Sequence, residues 1–225
     1  MAKIVWINDV PWAHSGMAIQ SKMIVAHLIK MGHQVHYFAW YAGVPNTRTI
    51  YNIDTSLKLD VYFLGEKSFG TSGLLNQLLV KVNPEIIISF GDLHMIEPLL
   101  GIDHCWHTKW THWWTVDDKL IAPQYLKMAT KIPHLVAITE FGARTIKAAL
   151  NKTVPVIGHA YQTTLQMRQD NIAKDLLDIP GDVVVYGSIA RNFWRKNLHA
   201  LLNAFAHAHT FFTTFSAWIC IVSVY

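Results

Sequence analysis

The stretch GDVVVYGSIARNFWRKNLHALLNAFA, residues 181–206, carries the pattern that decides the fold class. An apolar run at 183–186 predicts a buried strand, and Gly187-Ser188 predicts a tight turn after it. An amphipathic helix is predicted from Leu198. The loop before this helix is basic, with three cations: Arg191, Arg195 and Lys196. A strand, a loop and a helix in this order open an α/β domain.

The same alternation of strands and helices continues upstream through residue 161. Continuous apolar runs, typical of strands that a parallel sheet buries on both faces, recur at Lys3–Ile7, 33–40, 61–65, Ile86–Phe90 and 135–139. Helix patterns lie between or after them at 17–32, Leu74–Val82 and Glu140–Leu150. The stretch TVPVIGHAY, 153–161, predicts one more short strand. We therefore expect an open, mostly parallel sheet with helices on both faces.

Length and composition predict one domain of ordinary size and part of another. The chain has 225 residues, of which 52% are hydrophobic and 15% charged. This composition supplies enough apolar material for a core and excludes a disordered chain. The predicted boundaries are an N-terminal Rossmann-like domain at 1–161, a polar linker at 162–180 and an incomplete second domain at 181–225.

Charge, cysteines and hydropathy narrow the functional classes. The net charge is +4, but the basic residues are scattered except around 191–196, so no nucleic-acid partner is expected. Cys105 and Cys220 form no paired framework, and MAKIVWIND begins a strand rather than a signal peptide, which predicts a cytoplasmic protein. The apolar tail at 211–225 is shorter than the ~20 residues that cross a bilayer, so no integral membrane span is expected.

Polar residues that follow predicted strands are the first candidates for a site, because open α/β sheets bind ligands beyond the carboxyl ends of their strands. Gly16 would let the amides at a helix N-terminus approach an anion closely, although it also fits an ordinary helix start. His94 follows the strand at 86–90, and Asp117 follows the aromatic region. His94 equally fits a loop histidine, and Asp117 fits a helix cap.

The segment DHCWHTKWTHWW, 103–114, allows several interpretations. Its histidines and cysteine match no closed zinc spacing, so no metal site is expected. Its four tryptophans would suit stacking on bases, but binding of single strands also needs an extended basic groove, which the sequence lacks. A sugar-facing aromatic rim or an ordinary core strand fits better, and the core strand is favoured.

The basic loop carries the strongest chemical signal. Arg191 and Lys196 lie between a predicted strand and a predicted helix N-terminus. Two cations and a helix dipole can hold a diphosphate and stabilise the charge that develops when it leaves. The alternative is a solvated basic loop without a ligand.

The stretch VYGSIARNFWRKNLHALLNAFA resembles the start of the second domain of the family 4 retaining glycosyltransferases of the GT-B fold. In that family a strand leads into an arginine, then a lysine-asparagine pair and a helix that ends in AF. Further landmarks of its first domain are similar, in the same order, to SGMAIQSKMIVAHLIKMGHQVH, PEIIISFGDLHMI, LVAITEFGARTIK and PVIGHAY. The resemblance therefore covers about residues 3 to 207.

The resemblance implies a fold and an activity. The fold would be the Rossmann-like N-terminal domain of GT-B enzymes with the first βα unit of a second Rossmann-like domain. The activity would be transfer of a sugar, with retention, from a nucleotide-sugar donor to a glycan, lipid or protein acceptor. No cofactor or metal is implied, because cations of the protein and a helix dipole replace the metal in this fold.

The resemblance also implies roles for single residues. Gly16 would lie near the donor phosphates, and Arg191 and Lys196 would bind the diphosphate. His112 would be the catalytic histidine beside the transferring sugar. The remaining two candidates, His94 and Asp117, would face the acceptor or the sugar, and we take them as acceptor-binding residues.

The end of the sequence departs from the family pattern. Nothing after Phe205 matches, and the pair of glutamates in the family's E-x7-E arrangement is absent. We therefore expect a truncated or frameshifted end with impaired transfer, a tail without packing partners, and self-association through uncovered strand edges. The alternative is a non-catalytic, glycosyltransferase-like binding or remnant protein. A dinucleotide-binding oxidoreductase is disfavoured, because no G-x-G-x-x-G follows the first strand.

Overall fold

The computed structural model describes residues 1–40, 44–65, 68–160, 174–175, 178–180, 183–190, 193–211 and 217–223. The chain divides into two compact units, Met1–Gln162 and Thr163–Tyr225, and each is described by itself. The predicted linker at 162–180 lies largely outside the described residues. The domain boundaries drawn from the sequence stay a prediction.

Strands and helices alternate in the first unit, as the sequence predicts. The strands are β1 Lys3–Asp9, β2 Gln34–Trp40, β3 Arg48–Asn52, β4 Lys58–Phe63, β5 Ile86–Gly91, β6 Trp110–Trp114 and β7 His134–Ala137. The helices are α1 Gly16–Lys30, α2 Ser72–Val82, α3 Leu93–Ile96, α4 His104–His107, α5 Pro123–Ala129 and α6 Glu140–Leu150, with a 3-10 turn at Glu97–Leu99.

These seven strands form one twisted sheet in the order β3-β4-β2-β1-β5-β6-β7. Every neighbouring pair is parallel except β3 and β4, which are antiparallel. The predicted α/β fold with a mostly parallel, Rossmann-like sheet is confirmed. The strand order reverses between β1 and β5, and open sheets of this kind bind ligands at such a point.

Both faces of the sheet are covered by helices, which is why its strands read as continuous apolar runs. On one face α1 contributes the fully buried Val25, in a cluster with Trp6 of β1. On the other face α2 contributes Leu75 and Leu79, in a cluster with Ile7. Each such buried side chain contributes about 1.5–3 kcal/mol relative to exposure.

Short polar side chains set the helix ends. Ser15, Thr71 and Thr139 each accept a hydrogen bond from a backbone amide in the first turn of α1, α2 and α6. Asn83 and Asn151 end α2 and α6 in the left-handed conformation that asparagine tolerates. These caps satisfy amides and carbonyls that have no partner inside the helix.

The tryptophan segment forms a core strand, and that interpretation is confirmed. Trp110, Trp113 and Trp114 of β6 are 0%, 4% and 5% exposed. The indole Nε1 of Trp113 donates to the carbonyl oxygen of Ile157 at 2.8 Å. The tryptophans of β6 therefore pack against both faces of the sheet and do not form an open rim.

Two strand predictions in this unit need correction. The stretch 153–160 forms a single bridge, between Val156 and Ala137, instead of a strand. Strand β3 was not predicted, because its five residues alternate without a continuous apolar run. It pairs antiparallel with β4 at the edge of the sheet, where the Arg48 guanidinium forms an ion pair with Asp60.

The second unit contains a strand, a helix and another strand. They are β8 Val184–Ala190, α7 Leu198–Phe211 and β9 Ala217–Ser223, with a 3-10 turn at Trp194–Lys196 before α7. The predicted turn at Gly187-Ser188 is wrong, because both residues lie inside β8. They stay extended since β9 pairs with β8 along all seven residues, with Gly187 opposite Cys220.

The expectation that the tail after Phe205 lacks partners is also wrong. Helix α7 continues to Phe211, and β9 then pairs in parallel with β8. Ile219, Ile221 and Val222 are β-branched, which favours a strand. The partner β8 is not buried as predicted, because Val184, Val185 and Tyr186 are 45%, 36% and 57% exposed. The predicted first βα unit, β8 with α7, is present, and β9 extends it to a βαβ arrangement.

No helix among the described residues is long and apolar enough to cross a membrane.

Gly91 at the end of β5 gives a test of this arrangement. Its φ of +135° is one that other residues rarely adopt, and an added Cβ would lie 3.0 Å from the Met95 sulfur. Replacement Gly91→Ala should therefore lower the free energy of unfolding by about 1–3 kcal/mol. Gly16→Ala is the control, because a Cβ there meets nothing within 4 Å, and urea unfolding should show a change below about 0.5 kcal/mol. Equal losses in both variants would contradict the assigned conformation of Gly91.

Candidate functional site

The candidate site lies at the carboxyl edge of the sheet, where β1, β5 and β6 end. The reversal of strand order places the loop after β1 beside the loop after β5. The end of β6 lies next, because Gly91 pairs with Trp114. Polar residues that are far apart in the sequence therefore meet at one edge.

A hydrogen-bond network around Asp9 holds the first loop. The Asp9 carboxylate accepts from the Ser15 hydroxyl at 2.8 Å and from the Trp40 indole at 2.9 Å. Ser15 also accepts from the Ala18 amide at 3.1 Å, so the same hydroxyl caps α1. Trp12 of this loop packs on Tyr51, with ring centroids 5.4 Å apart. The start of α1 is thereby fixed relative to the strand ends.

Gly16 is the first residue of α1 and is exposed to solvent. The helix carries no acidic residue in its first turn, but the Asp9 carboxylate accepts from Ser15 directly before this helix end. Both donors to Asp9 are neutral and leave its negative charge in place. The donor-phosphate role of Gly16 stays a prediction.

A cleft of about 310 Å³ opens beside the ends of β5 and β6, and it brings together both predicted acceptor residues, His94 and Asp117. Its walls combine apolar, aromatic and acidic side chains. The lining residues are Asp92, Leu93, His94, Trp114, Thr115, Val116, Asp117, Asp118, Leu120, Ile121, Ala122 and Tyr125. This volume lies at the lower end of the range typical of small-molecule sites.

Hydrogen bonds and ring contacts order parts of this cleft. The Thr115 hydroxyl donates to the Asp92 carboxylate across the ends of β5 and β6. The His94 ring packs edge-on against Phe69, with centroids 5.9 Å apart. The Asp118 carboxylate accepts from the Leu120 amide at 3.3 Å and so shapes the loop. The cleft therefore has fixed polar groups on an otherwise apolar wall.

His112, the predicted catalytic histidine, lies in the middle of β6 and is 0% exposed. The Ser89 hydroxyl accepts from Trp110 Nε1 at 2.7 Å and forms a hydrogen bond of 2.8 Å with His112 Nδ1. In this conformation the ring is closed off from any ligand, and its catalytic role stays a prediction.

Burial lowers the pKa of His112 from 6.5 to about 3. Removal of the ring from water disfavours the charged form, and the backbone of Gly91 and Ser89 offsets only part of this effect. His112 is therefore neutral at physiological pH. The hydrogen bond between this neutral imidazole and Ser89 links β6 to β5 inside the sheet.

The basic loop belongs to the second unit and is described separately. Lys196 ends the 3-10 turn Trp194–Lys196, is exposed, and lies directly before α7. Its amide donates to the Phe193 carbonyl at 2.9 Å. Arg191 lies outside the described residues, so the predicted pair of cations stays a prediction.

Within the described part of the chain, no group of three or more histidine, cysteine or acidic side chains is arranged to hold a metal ion. His104, Cys105 and His107 lie on the short helix α4, while His112 is buried in β6. The Cys105 thiol is free and exposed. The histidine-rich segment thus divides between a surface turn and the core.

The site residues predicted from the sequence do not include Asp92, Trp114 and Tyr125, which line the cleft with the predicted pair. Asp92 could have been found, because it directly follows β5 at the carboxyl edge. Tyr125 could not, since it comes from α5, whose approach to the cleft depends on the path of the loop at 115–122.

No family model matches the sequence. The fold, in contrast, is similar to that of several solved enzymes. An α,α-trehalose-phosphate synthase (UDP-forming) from Burkholderia vietnamiensis matches with a TM-score of 0.63 at 14% identity, over 99% of this chain and 64% of that one. A trehalose-6-phosphate enzyme structure from E. coli, bound with UDP-2-fluoro glucose, matches with a TM-score of 0.62 at 13% identity, over 99% and 64%.

A UDP-GlcNAc 2-epimerase from Methanocaldococcus jannaschii matches with a TM-score of 0.56 at 14% identity, over 99% of this chain and 66% of that one. The structural similarity shows a shared GT-B, Rossmann-like fold, and at these identities it shows the fold alone. The chain spans 64% to 66% of the length of these three structures.

The burial of His112 predicts how stability depends on pH. Below pH 6.5 the unfolded chain protonates this histidine, whereas the folded chain resists protonation until about pH 3. The unfolded state then binds more protons, so stability falls as the pH falls through this window, by up to about 1.4 kcal/mol per pH unit. Between pH 7.5 and 5.0 we expect His112 to account for about 2 kcal/mol of lost stability.

Urea unfolding of the wild type and of His112→Gln at both pH values measures this contribution. Burial also lowers the pKa of His36 and of His159, so some loss remains in the variant. We expect the free energy of unfolding to fall less between the two pH values in His112→Gln than in the wild type. This comparison of pH-dependent losses does not depend on the stability of the variant at pH 7.5. An identical pH-dependent loss in both proteins would contradict a neutral, buried His112.

Proposed function

We propose that this chain is a sugar-nucleotide-dependent enzyme of the GT-B fold that transfers a sugar to an acceptor hydroxyl. The observation that carries the proposal is the cleft at the ends of β5 and β6 in a sheet of GT-B type. It contains His94 and Asp117, two residues that the sequence resemblance assigned to the acceptor.

The acceptor half of the proposal rests on the chemistry of the cleft. Carboxylates accept hydrogen bonds from hydroxyl groups, and Asp92 and Asp117 offer such acceptors at its mouth. Tyr125, which is half-buried, provides flat apolar surface on which a sugar ring can pack. His94 is exposed and can donate or accept at the same place.

The donor half of the proposal rests on the second unit. Lys196 is an exposed cation two residues before Leu198, the first residue of the 14-residue helix α7. A cation and a helix N-terminus together favour a diphosphate, and Arg191 would add a second, bidentate contact. Gly16 at the start of α1 would meet the donor phosphates from the first unit.

Retention and membership in family 4 are the finer parts of this proposal. They rest on the shared order of the sequence motifs from SGMAIQ to the loop SIARNFWRKN. The bound UDP-2-fluoro glucose of the E. coli neighbour supports a nucleotide sugar as the donor. His112 would act in this scheme through the positions of β5 and β6, because its ring is fully buried.

A second candidate is a sugar-nucleotide epimerase without an acceptor. The fold similarity to a UDP-GlcNAc 2-epimerase, at a TM-score of 0.56, favours it nearly as much as transfer. The acidic cleft argues for transfer, since an epimerase needs no second polyol site. Incubation with UDP-, GDP- and ADP-sugars followed by product analysis separates transfer, epimerisation and binding without turnover.

The loop at 191–196 can be tested by nucleotide binding. Replacement Lys196→Ala or Arg191→Ala should weaken the affinity for nucleoside diphosphates about tenfold or more, because each removes a charge-assisted contact worth about 1.5–3 kcal/mol. Lys127→Ala is the matched control, an exposed lysine on α5 of the first unit that should leave the affinity unchanged. Isothermal titration of UDP, GDP and ADP against each variant gives the affinities.

Unchanged affinity in both loop variants would remove the donor assignment of the loop. An equal loss in Lys127→Ala would show an unspecific effect of net charge, which also contradicts it. Affinity that falls in the loop variants alone supports a diphosphate site at the start of α7.

A further inference from the structure

We infer that the cleft beside β5 and β6 selects a polyhydroxyl acceptor without an anionic group and discriminates against phosphorylated or carboxylated sugars. This inference rests on the proposed function only in treating the bound polyol as the acceptor of a transferred sugar. The selectivity itself follows from the charges and hydrogen-bonding groups that line the cleft.

The ionisable side chains of the cleft are mostly acidic, with one histidine, His94, among them. Three carboxylates line it, those of Asp92, Asp117 and Asp118, and no lysine or arginine stands among its twelve described lining residues. Lys119 lies in the same loop but is not part of the lining. A phosphorylated ligand would therefore bring a dianion close to three negative charges.

These carboxylates are not neutralised by ion pairs within the described residues. The salt bridges there join Lys30 to Asp54 and Arg48 to Asp60, both away from the cleft. Asp92 receives a neutral hydroxyl, from Thr115, and Asp118 receives a backbone amide. Neutral donors of this kind leave the negative charge in place.

The carboxylates of the cleft offer only hydrogen-bond acceptors, and the side-chain donors that line the cleft with Thr115 include His94 and Tyr125. Ionised carboxylates accept and never donate, and the Thr115 hydroxyl is already directed at Asp92. A sugar hydroxyl can donate to these oxygens, whereas a phosphate or carboxylate oxygen would face them with no hydrogen between. Such an unpaired, repulsive contact is how a site rejects the wrong ligand.

The remaining walls fit the other face of a polyol. Trp114 is 5% exposed and forms the floor with Leu93 and Val116, which are 2% and 7% exposed. Such surface packs against the C–H groups of a sugar ring without regard to charge. The volume of about 310 Å³ accommodates a ligand of the size of a monosaccharide. Shape and apolar contact thus admit both kinds of sugar, and charge decides between them.

Binding of three probes to the full chain, without any donor, tests the inference: methyl glucoside, glucosamine and glucose 6-phosphate. We expect methyl glucoside to bind at least tenfold more tightly than glucose 6-phosphate at low salt. Glucosamine, whose ammonium group is attracted by the carboxylates, should bind more tightly than methyl glucoside. Added salt should narrow both differences, because the cleft is open to solvent.

Variants locate the selectivity. Asp117→Asn and Asp118→Asn each keep the size of an exposed side chain and remove one charge, so the discrimination against glucose 6-phosphate should fall several-fold in each. Glu97→Gln is the matched control, because Glu97 is an exposed carboxylate outside this cleft. Circular dichroism of each variant verifies that the fold is kept.

Glucose 6-phosphate that binds as tightly as methyl glucoside would overturn the inference, and so would absence of binding by all three probes. Discrimination that is equal in Glu97→Gln and in the aspartate variants would overturn it as well. Nucleotide binding separates this from the proposed function. A chain that discriminates between the sugars but binds no nucleotide refutes the proposed transfer alone, and one that binds nucleotide but prefers the sugar phosphate refutes the inference alone.

Discussion

The reversal of strand order between β1 and β5 is the constraint on which the first unit depends. Connections from β1 and from β5 leave in opposite directions, so their loops part and leave a crevice at the carboxyl edge. Two local devices keep that crevice in shape. Ser15 caps α1 while it donates to Asp9, and Gly91 ends β5 at a φ of +135° that brings Asp92 to Thr115. These two contacts fix the first residues of the loops after β1 and β5, and thereby the positions of the other polar residues at this edge.

Beneath this edge a polar chain runs through the core. Trp110, Ser89 and His112 are each fully buried and share two hydrogen bonds. Because hydrogen bonds are directional, they fix the register of β5 against β6 in addition to side-chain packing. Apolar side chains at these three positions would fill the core but would not favour this strand register over a shifted one.

Sequence patterns predicted the elements whose signal is local. Helix α6 begins and ends where predicted, because Thr139 and Asn151 are strong caps on either side of a regular apolar stripe. The turn at Gly187-Ser188 was predicted from local glycine chemistry, but the distant strand β9 holds both residues extended. In the same way, His112 reads as a polar candidate in the sequence, and only its pairing with β5 and β7 shows that it is enclosed. Residues of the site that depend on such distant pairing, Tyr125 among them, have no local signal.

The cleft of the first unit and the start of α7 in the second unit differ in the charges that the structure describes there. The cleft is lined by three carboxylates and, among its described residues, by no lysine or arginine, whereas Lys196 is an exposed cation two residues before α7. A lysine or arginine inside the cleft would form ion pairs with these carboxylates and leave less charge for a ligand. In the function proposed above, the carboxylates would accept hydrogen bonds from acceptor hydroxyls, and Lys196 would attract an anionic donor.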